Sequence, residues 1–155
     1  MKIIKDDDRK LKAIERNLKA FNGKYLLVGI FGTMNRKGKS IANIMATHEF
    51  GSIVKRIPCR SWMRKFVDGN KSDVNKKVDT ICNNILTNKI SSRKGLEIIG
   101  VWLTGKFKTT IRSLTSPALS FKTVRRKKSS KLLIDTAQSI NSIKYKIQKH
   151  KPVNQ

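Results

Sequence analysis

The sequence predicts an α+β fold in which a small mixed or antiparallel sheet packs against two to three longer helices, and three observations carry that expectation. Apolar residues recur at helical spacing over several long stretches, two short runs have strand character, and glycine, proline and polar clusters separate them. At 155 residues the chain is long enough for one domain with a real core. Residues 1–22 read as an N-terminal helix, 23–148 as a single α+β domain, and 149–155 as a flexible tail.

The elements follow in order. Asp6, Asp7 and Asp8 place negative charge at a helix start, and Leu11, Ile14, Leu18 and Phe21 then recur at helical spacing until Gly23. Residues 25–31 form a short apolar run between Gly23 and Gly32, which predicts a strand. Ser40 caps a helix with Ile41, Ile44, Met45 and His48 along one side, and Gly51 occupies the position of a left-handed C-cap. Residues 52–58 are expected to be extended. Pro58 leads into a short helical turn with Trp62, Met63, Phe66 and Val67, which Asp68-Gly69-Asn70 is expected to break. Ser72-Asp73 then caps a separate helix carrying Val74, Val78, Ile81, Cys82 and Ile85. A further long helix spans about 93–114, with Leu96, Ile99, Leu103, Phe107 and Thr110 on one face. Its Gly95, Gly100 and Gly105 recur every five residues, a spacing that keeps no single face and suggests bends or a late helix start rather than a contact groove. Ser116-Pro117 closes it, and a basic loop follows with one turn starting at Ser120. Asp135-Thr136 begins another turn, and residues 143–147 alternate apolar and polar as a half-exposed strand does.

Charge narrows the partners. Thirty-five lysines and arginines against ten acidic residues give a formal net charge of +25, whose self-repulsion calls for a polyanionic or acidic neighbour. Such a surface has sequence-independent affinity for phosphate backbones. The densest run is Arg125-Arg126-Lys127-Lys128, with Lys122 before it and Lys131 after it. It suits DNA phosphates, an acidic protein surface or plain solvation, and Lys37 and Lys39 form a smaller group. Phe121 stands alone beside the run, so the aromatic interleaving that stacks single-stranded bases is lacking, and sequence-specific readout is not expected. No apolar stretch approaches the ~20 residues of a spanning helix, and the N-terminus lacks the pattern of a secretory signal, so a protein that stays off the membrane is expected.

Enzymatic chemistry finds little support. Residues 32–40, Gly-Thr-Met-Asn-Arg-Lys-Gly-Lys-Ser, join a strand to a helix in the setting of a phosphate-binding loop. Five residues rather than four separate Gly32 from Gly38-Lys39-Ser40, and no later strand supplies a suitable metal-holding aspartate. A nucleotide-binding protein is therefore a remote alternative. His48-Glu49 lacks the second histidine of a zinc protease motif, because Ser52 stands there. Cys59 and Cys82 are far apart without ligand spacing, and no acid/base pair or nucleophile stands out. No catalytic residue, cofactor or metal is expected.

One pattern points to a function. His48-Glu49-Phe50-Gly51 is followed by Ile57-Pro58-Cys59-Arg60-Ser61-Trp62, then by helices, and late in the chain by Leu132-Leu133-Ile134-Asp135-Thr136-Ala137-Gln138-Ser139 running into a strand. In order and spacing this resembles the neck and tail-completion proteins of tailed bacteriophages, also called virion morphogenesis or head-tail connector proteins, over roughly residues 25–147. The resemblance rests on Glu49, Phe50, Gly51, Pro58, Arg60, Trp62, Leu133, Ile134, Asp135 and Thr136. The chain departs from it at Ala137 and Ser139, where glycine and leucine are common. The resemblance implies a compact α+β virion protein that forms an oligomeric ring of six or twelve copies at the head–tail junction. It would contact itself, a head connector or adaptor, and a tail tube or tail terminator protein, and would surround the DNA channel. It also implies that Glu49-Phe50-Gly51 closes its helix beside the sheet, and that Asp135 caps a turn anchored by Leu133 and Ile134. The alternative, a general basic nucleic-acid-binding protein, would be explained by the charge alone.

Overall fold

Two long helices that double back on each other form the centre of the structure, a computed structural model that describes residues 8–35, 38–127 and 138–149. Helix α1 spans Asp8–Phe21, strand β1 Lys24–Ile30, helix α2 Ile41–Phe50, helix α3 Trp62–Leu86 and helix α4 Ser92–Arg112. The short helices α5, Phe121–Lys127, and α6, Gln138–Asn141, precede strand β2, Ile143–Lys149. The fold is thus α+β, with a two-stranded antiparallel sheet set against the longer helices.

Helix α3 runs unbroken through Asp68, Gly69 and Asn70, where the sequence suggests a break. Tertiary packing overrides the local signal. Trp62, Phe66, Val74, Val78, Ile81 and Ile85 form one continuous stripe of buried and half-buried side chains against α4 and its surroundings. Asn70 supports the continuation, since its side-chain amide donates to the Phe66 carbonyl one turn back at 2.9 Å. A mid-helix glycine costs only about 1 kcal/mol, and burying two aromatic residues on the near side outweighs that.

Helix α4 packs antiparallel to α3. Near its end Phe107 stacks on Phe66, with ring centroids 3.7 Å apart, and meets the edge of Trp62 at 5.9 Å. Near its start Gly95 lies under Ile81 and Ile85, so that a Cβ there would approach the Ile85 Cδ1 to 2.6 Å. Gly100, on another side of the helix, lies under the ring of Tyr145 from β2, with a Cβ-to-ring distance of 2.5 Å. These two glycines are therefore points of close approach to two different neighbours rather than bends. The helix ends at Arg112 with Ser113 as cap, four residues before Pro117.

Strands β1 and β2 pair from Lys24 with Lys149 to Ile30 with Ile143. Lys149 thus belongs to the sheet rather than to a tail; residues 150–155 lie outside the described residues. Opposed residues share a face. Leu26, Val28 and Ile30 therefore join Ile147, Tyr145 and Ile143 on the side turned to the helices, while Tyr25 and Leu27 accompany Gln148 and Lys146 outward. Two apolar clusters result. One gathers Ile41, Met45, Trp62, Phe66, Phe107, Ile111, Leu114, Ile140 and Ile143; the other is built on Ile81, Ile85 and Ile99, and Leu103 packs on both.

Helix α1 docks on α3 and α4. The Ser92 hydroxyl donates to the Asn17 carbonyl, and Asn17 donates through its side chain to the Asn88 amide oxygen at 3.1 Å. Of its apolar stripe only Ile14 and Phe21 are half-buried, whereas Leu11 and Leu18 remain exposed. No helix among the described residues is long and apolar enough to cross a membrane.

Candidate assembly site

Glu49 ends α2 in sequence, yet its side chain serves the next helix. Its two carboxylate oxygens accept from the first free N–H groups of α3, Met63 at 2.8 Å and Arg64 at 3.1 Å. The nominal N-cap, Ser61, makes no cap bond. The Ser61 hydroxyl donates to the Glu49 carbonyl at 3.3 Å instead, and the Cys59 thiol donates to the same oxygen at 2.9 Å. An anion at the positive end of a 25-residue helix is electrostatically favourable, which explains a carboxylate that is only 7% exposed.

The other residues of the two motifs lock into the same joint. Trp62 donates its indole N–H to the Met45 carbonyl at 3.2 Å, tying α3 to α2 through the core. The Arg60 backbone N–H donates to the His48 carbonyl at 2.6 Å, while its buried guanidinium donates to the carbonyls of Pro117 at 3.1 Å and Ala118 at 3.3 Å. Burial draws the Arg60 pKa down from the usual arginine range. Gly51 has φ 78 and ψ 177, a region more restrictive than the left-handed cap expected there and essentially limited to glycine. A Cβ at that position would sit 3.0 Å from the Cys59 nitrogen and 3.2 Å from the Ile57 oxygen. Helix α2 packs against α3 and α6, and its Ile41 and Met45 share an apolar cluster with Ile143 of β2.

The joint leaves a protrusion between its halves. Residues 52–58 are not an extended strand: Ser52 and Ile57 exchange both backbone hydrogen bonds at 2.8 Å, and the chain turns over Ile53, Val54, Lys55 and Arg56 between them. Ile53 and Val54 are 96% and 95% exposed, and Phe50 at the base of the turn is 74% exposed. Pro58 is exposed on the return. Three large apolar side chains in solvent beside Lys55 and Arg56 have no role in the core, and such patches mark interaction surfaces.

The basic residues are dispersed. Lys39 is exposed on a loop that folds on itself: Asn35 and Lys39 are joined through N–H to O at 2.8 Å, and the Asn35 side chain accepts from the Lys39 N–H at 2.9 Å. The first N–H groups of α2 are taken by the Thr33 carbonyl and the Ser40 hydroxyl, so this strand-to-helix junction is closed by its own chain. Lys122, Arg125, Arg126 and Lys127 lie on α5, a two-turn helix where a loop with one turn is expected, and Arg125 is exposed. The carbonyls held by Arg60 lie just upstream, so the motif joint also positions the basic helix. Lys37, Lys128, Lys131, Leu133, Ile134, Asp135 and Thr136 lie outside the described residues.

A second basic cluster follows from pairing rather than from local spacing. The register brings Lys24 opposite Lys149, and these two with Arg93, Glu97 and Tyr145 line a cleft of about 380 Å³ at the end of the sheet. Nothing in the sequence joins residues 24, 93 and 149; the strand register brings Lys24 to Lys149, and the packing of α4 on the sheet adds Arg93. Among the described residues no three histidine, cysteine or acidic side chains gather as a metal site. Comparison of the chain with protein-family models, curated proteins and solved structures finds no match.

Proposed function

We propose that this chain is a non-catalytic virion protein of a tailed phage, assembling into a ring at the head–tail junction that joins the head connector to the tail and encloses the DNA channel. The resemblance to neck and tail-completion proteins supplies the class. The observation that carries the reading furthest is the joint around Glu49. Among the residues that bear the resemblance, Glu49, Gly51, Arg60 and Trp62 meet in one joint, and the turn that the joint carries presents Phe50, Ile53 and Val54 to solvent.

A subunit with one such knob has a contact to offer a neighbour. Repeated identical head-to-tail contacts close into a ring when the rotation divides a full turn. Six or twelve copies fit the resemblance. The cationic remainder of the surface then faces acidic protein neighbours or passing DNA, which it would hold weakly and without base preference.

Light scattering on the purified chain, with and without the partner head connector, tests the assembly. A discrete ring is expected, and Ile53→Asp with Val54→Asp should leave monomers that melt as the parent does, because neither side chain is in the core. A monomer under all conditions that binds DNA tightly and with steep salt dependence would favour the general nucleic-acid-binding alternative.

A further inference from the structure

We infer that the cleft at the open end of the sheet, lined by Lys24, Arg93 and Lys149, is a binding site for the phosphodiester backbone of nucleic acid. It deepens the DNA-contacting part of the proposed function and rests on that part alone; ring formation is not required for it.

The fold itself does not need the arrangement of charge found at this cleft. Lys24 and Lys149 are direct partners in an antiparallel ladder, so their side chains leave the same face of the sheet. Like charges placed directly opposite destabilise a strand pair. Arg93, from the first turn of α4, lines the same cleft and brings a third cation. The one carboxylate among the lining residues, Glu97, is engaged by Arg93 at 3.2 Å one turn away on the same helix. Three cations against one occupied anion leave an excess positive charge, and a concave site concentrates its field. Lys146, which also borders the cleft, directs its ammonium over the Phe31 ring at 4.6 Å and is not counted.

The size of the cleft and its wall both suit a nucleotide. A cleft of about 380 Å³ admits a nucleotide-sized group but not the face of a folded domain. Its wall includes Tyr145, whose ring is held against Gly100 and so offers a fixed apolar surface to the sugar next to a bound phosphate. Arg93, 84% exposed in its side chain, is free to swing toward an oxygen pair while Glu97 keeps it near the mouth.

The test measures binding of a mixed-sequence DNA duplex, and separately of poly-glutamate, across a salt series. Lys24→Ala with Lys149→Ala is compared with Lys65→Ala and Lys71→Ala, two exposed lysines on the first half of α3. That half lies against the far end of α4, where Phe66 meets Phe107, ten residues or about 15 Å along the helix from Glu97. The cleft pair should reduce the salt slope for DNA by about two and weaken binding at low salt at least about ten-fold more than the control pair. Arg93→Gln, which leaves the strand pair intact, should weaken DNA binding in the same sense. Equal effects of the two lysine pairs would overturn the site in favour of diffuse charge. Loss of poly-glutamate binding as large as the loss of DNA binding would overturn it in favour of an acidic protein partner. Light scattering on the same samples reads ring formation separately, so either reading can fail while the other stands.

Discussion

Glu49 shows how much a single side chain can decide. Because its carboxylate replaces the missing Ser61 cap, the start of α3 depends on a residue thirteen positions upstream of its first helical residue. Glu49→Gln keeps the size and one acceptor oxygen but removes the charge and the second acceptor, and it should cost about 1–2 kcal/mol in urea denaturation. Ser61→Ala should cost well under half of that, since the hydroxyl meets the Glu49 carbonyl and the Cys59 thiol but caps no N–H of α3. Equal losses would mean that Glu49 is not the cap. The identities at this joint were legible: Glu49, Gly51, Arg60 and Trp62 stand out as a group on resemblance alone. Their directions were not. Sequence places Glu49 at the end of one helix, but which helix a buried carboxylate serves depends on a chain reversal that no local spacing encodes. Phe50 is a similar case, because an aromatic letter at a helix end implies burial, whereas the turn that Gly51 permits leaves it in solvent.

At the scale of elements, the glycines of the two long helices separate local propensity from packing. Gly69 is exposed on α3, and a methyl group added there would meet no atom within 4 Å, so Gly69→Ala should stabilise the protein by about 0.5–1 kcal/mol through helix propensity alone. Gly95→Ala forces a methyl against Ile85 and Ile81 and should destabilise by about 1–3 kcal/mol, the usual range for an overpacked contact. Thermal denaturation of the two variants checks both signs, and a stabilised Gly95→Ala would show that α3 and α4 have room to part at this contact. The same two helices explain what the sequence revealed of the fold. Periodicity located α1, α2, α4 and both strands nearly to the residue, because each carries its own apolar pattern between clear stops. It divided α3 in two because Asp68-Gly69-Asn70 is a local turn signal; the opposing signal, the stripe from Trp62 to Ile85, becomes decisive only with α4 lying against it. The five-residue spacing of glycines failed for a related reason, since Gly95 and Gly100 answer to different neighbours and need no common face.

For the molecule as a whole, a charge of +25 on 155 residues makes repulsion a term in stability. Two ion pairs among the described residues, Arg93 with Glu97 and Lys106 with Asp73, are open to solvent, and pairs of that kind contribute little. The Asp73 pKa is lowered first by its hydrogen bond to Lys106 and then by that residue's charge, an attraction that salt will weaken. Repulsion among the remaining cations is more widespread, and salt weakens it too. Screening should therefore stabilise on balance. Raising sodium chloride from about 0.01 M to 1 M shortens the Debye length from about 30 Å to about 3 Å, and Tm should rise by several degrees. Chloride is the appropriate salt, because sulfate would also strengthen apolar burial by exclusion. At low salt a short DNA duplex should raise Tm in the same direction, since a ligand that favours the folded state stabilises it by mass action. At 1 M salt that increment should vanish, because the counterion release behind it no longer drives binding. If Tm fell as chloride rose, attractive pairs would dominate the surface. Self-repulsion of the excess charge would then not limit stability, and no polyanionic neighbour would be needed to offset it.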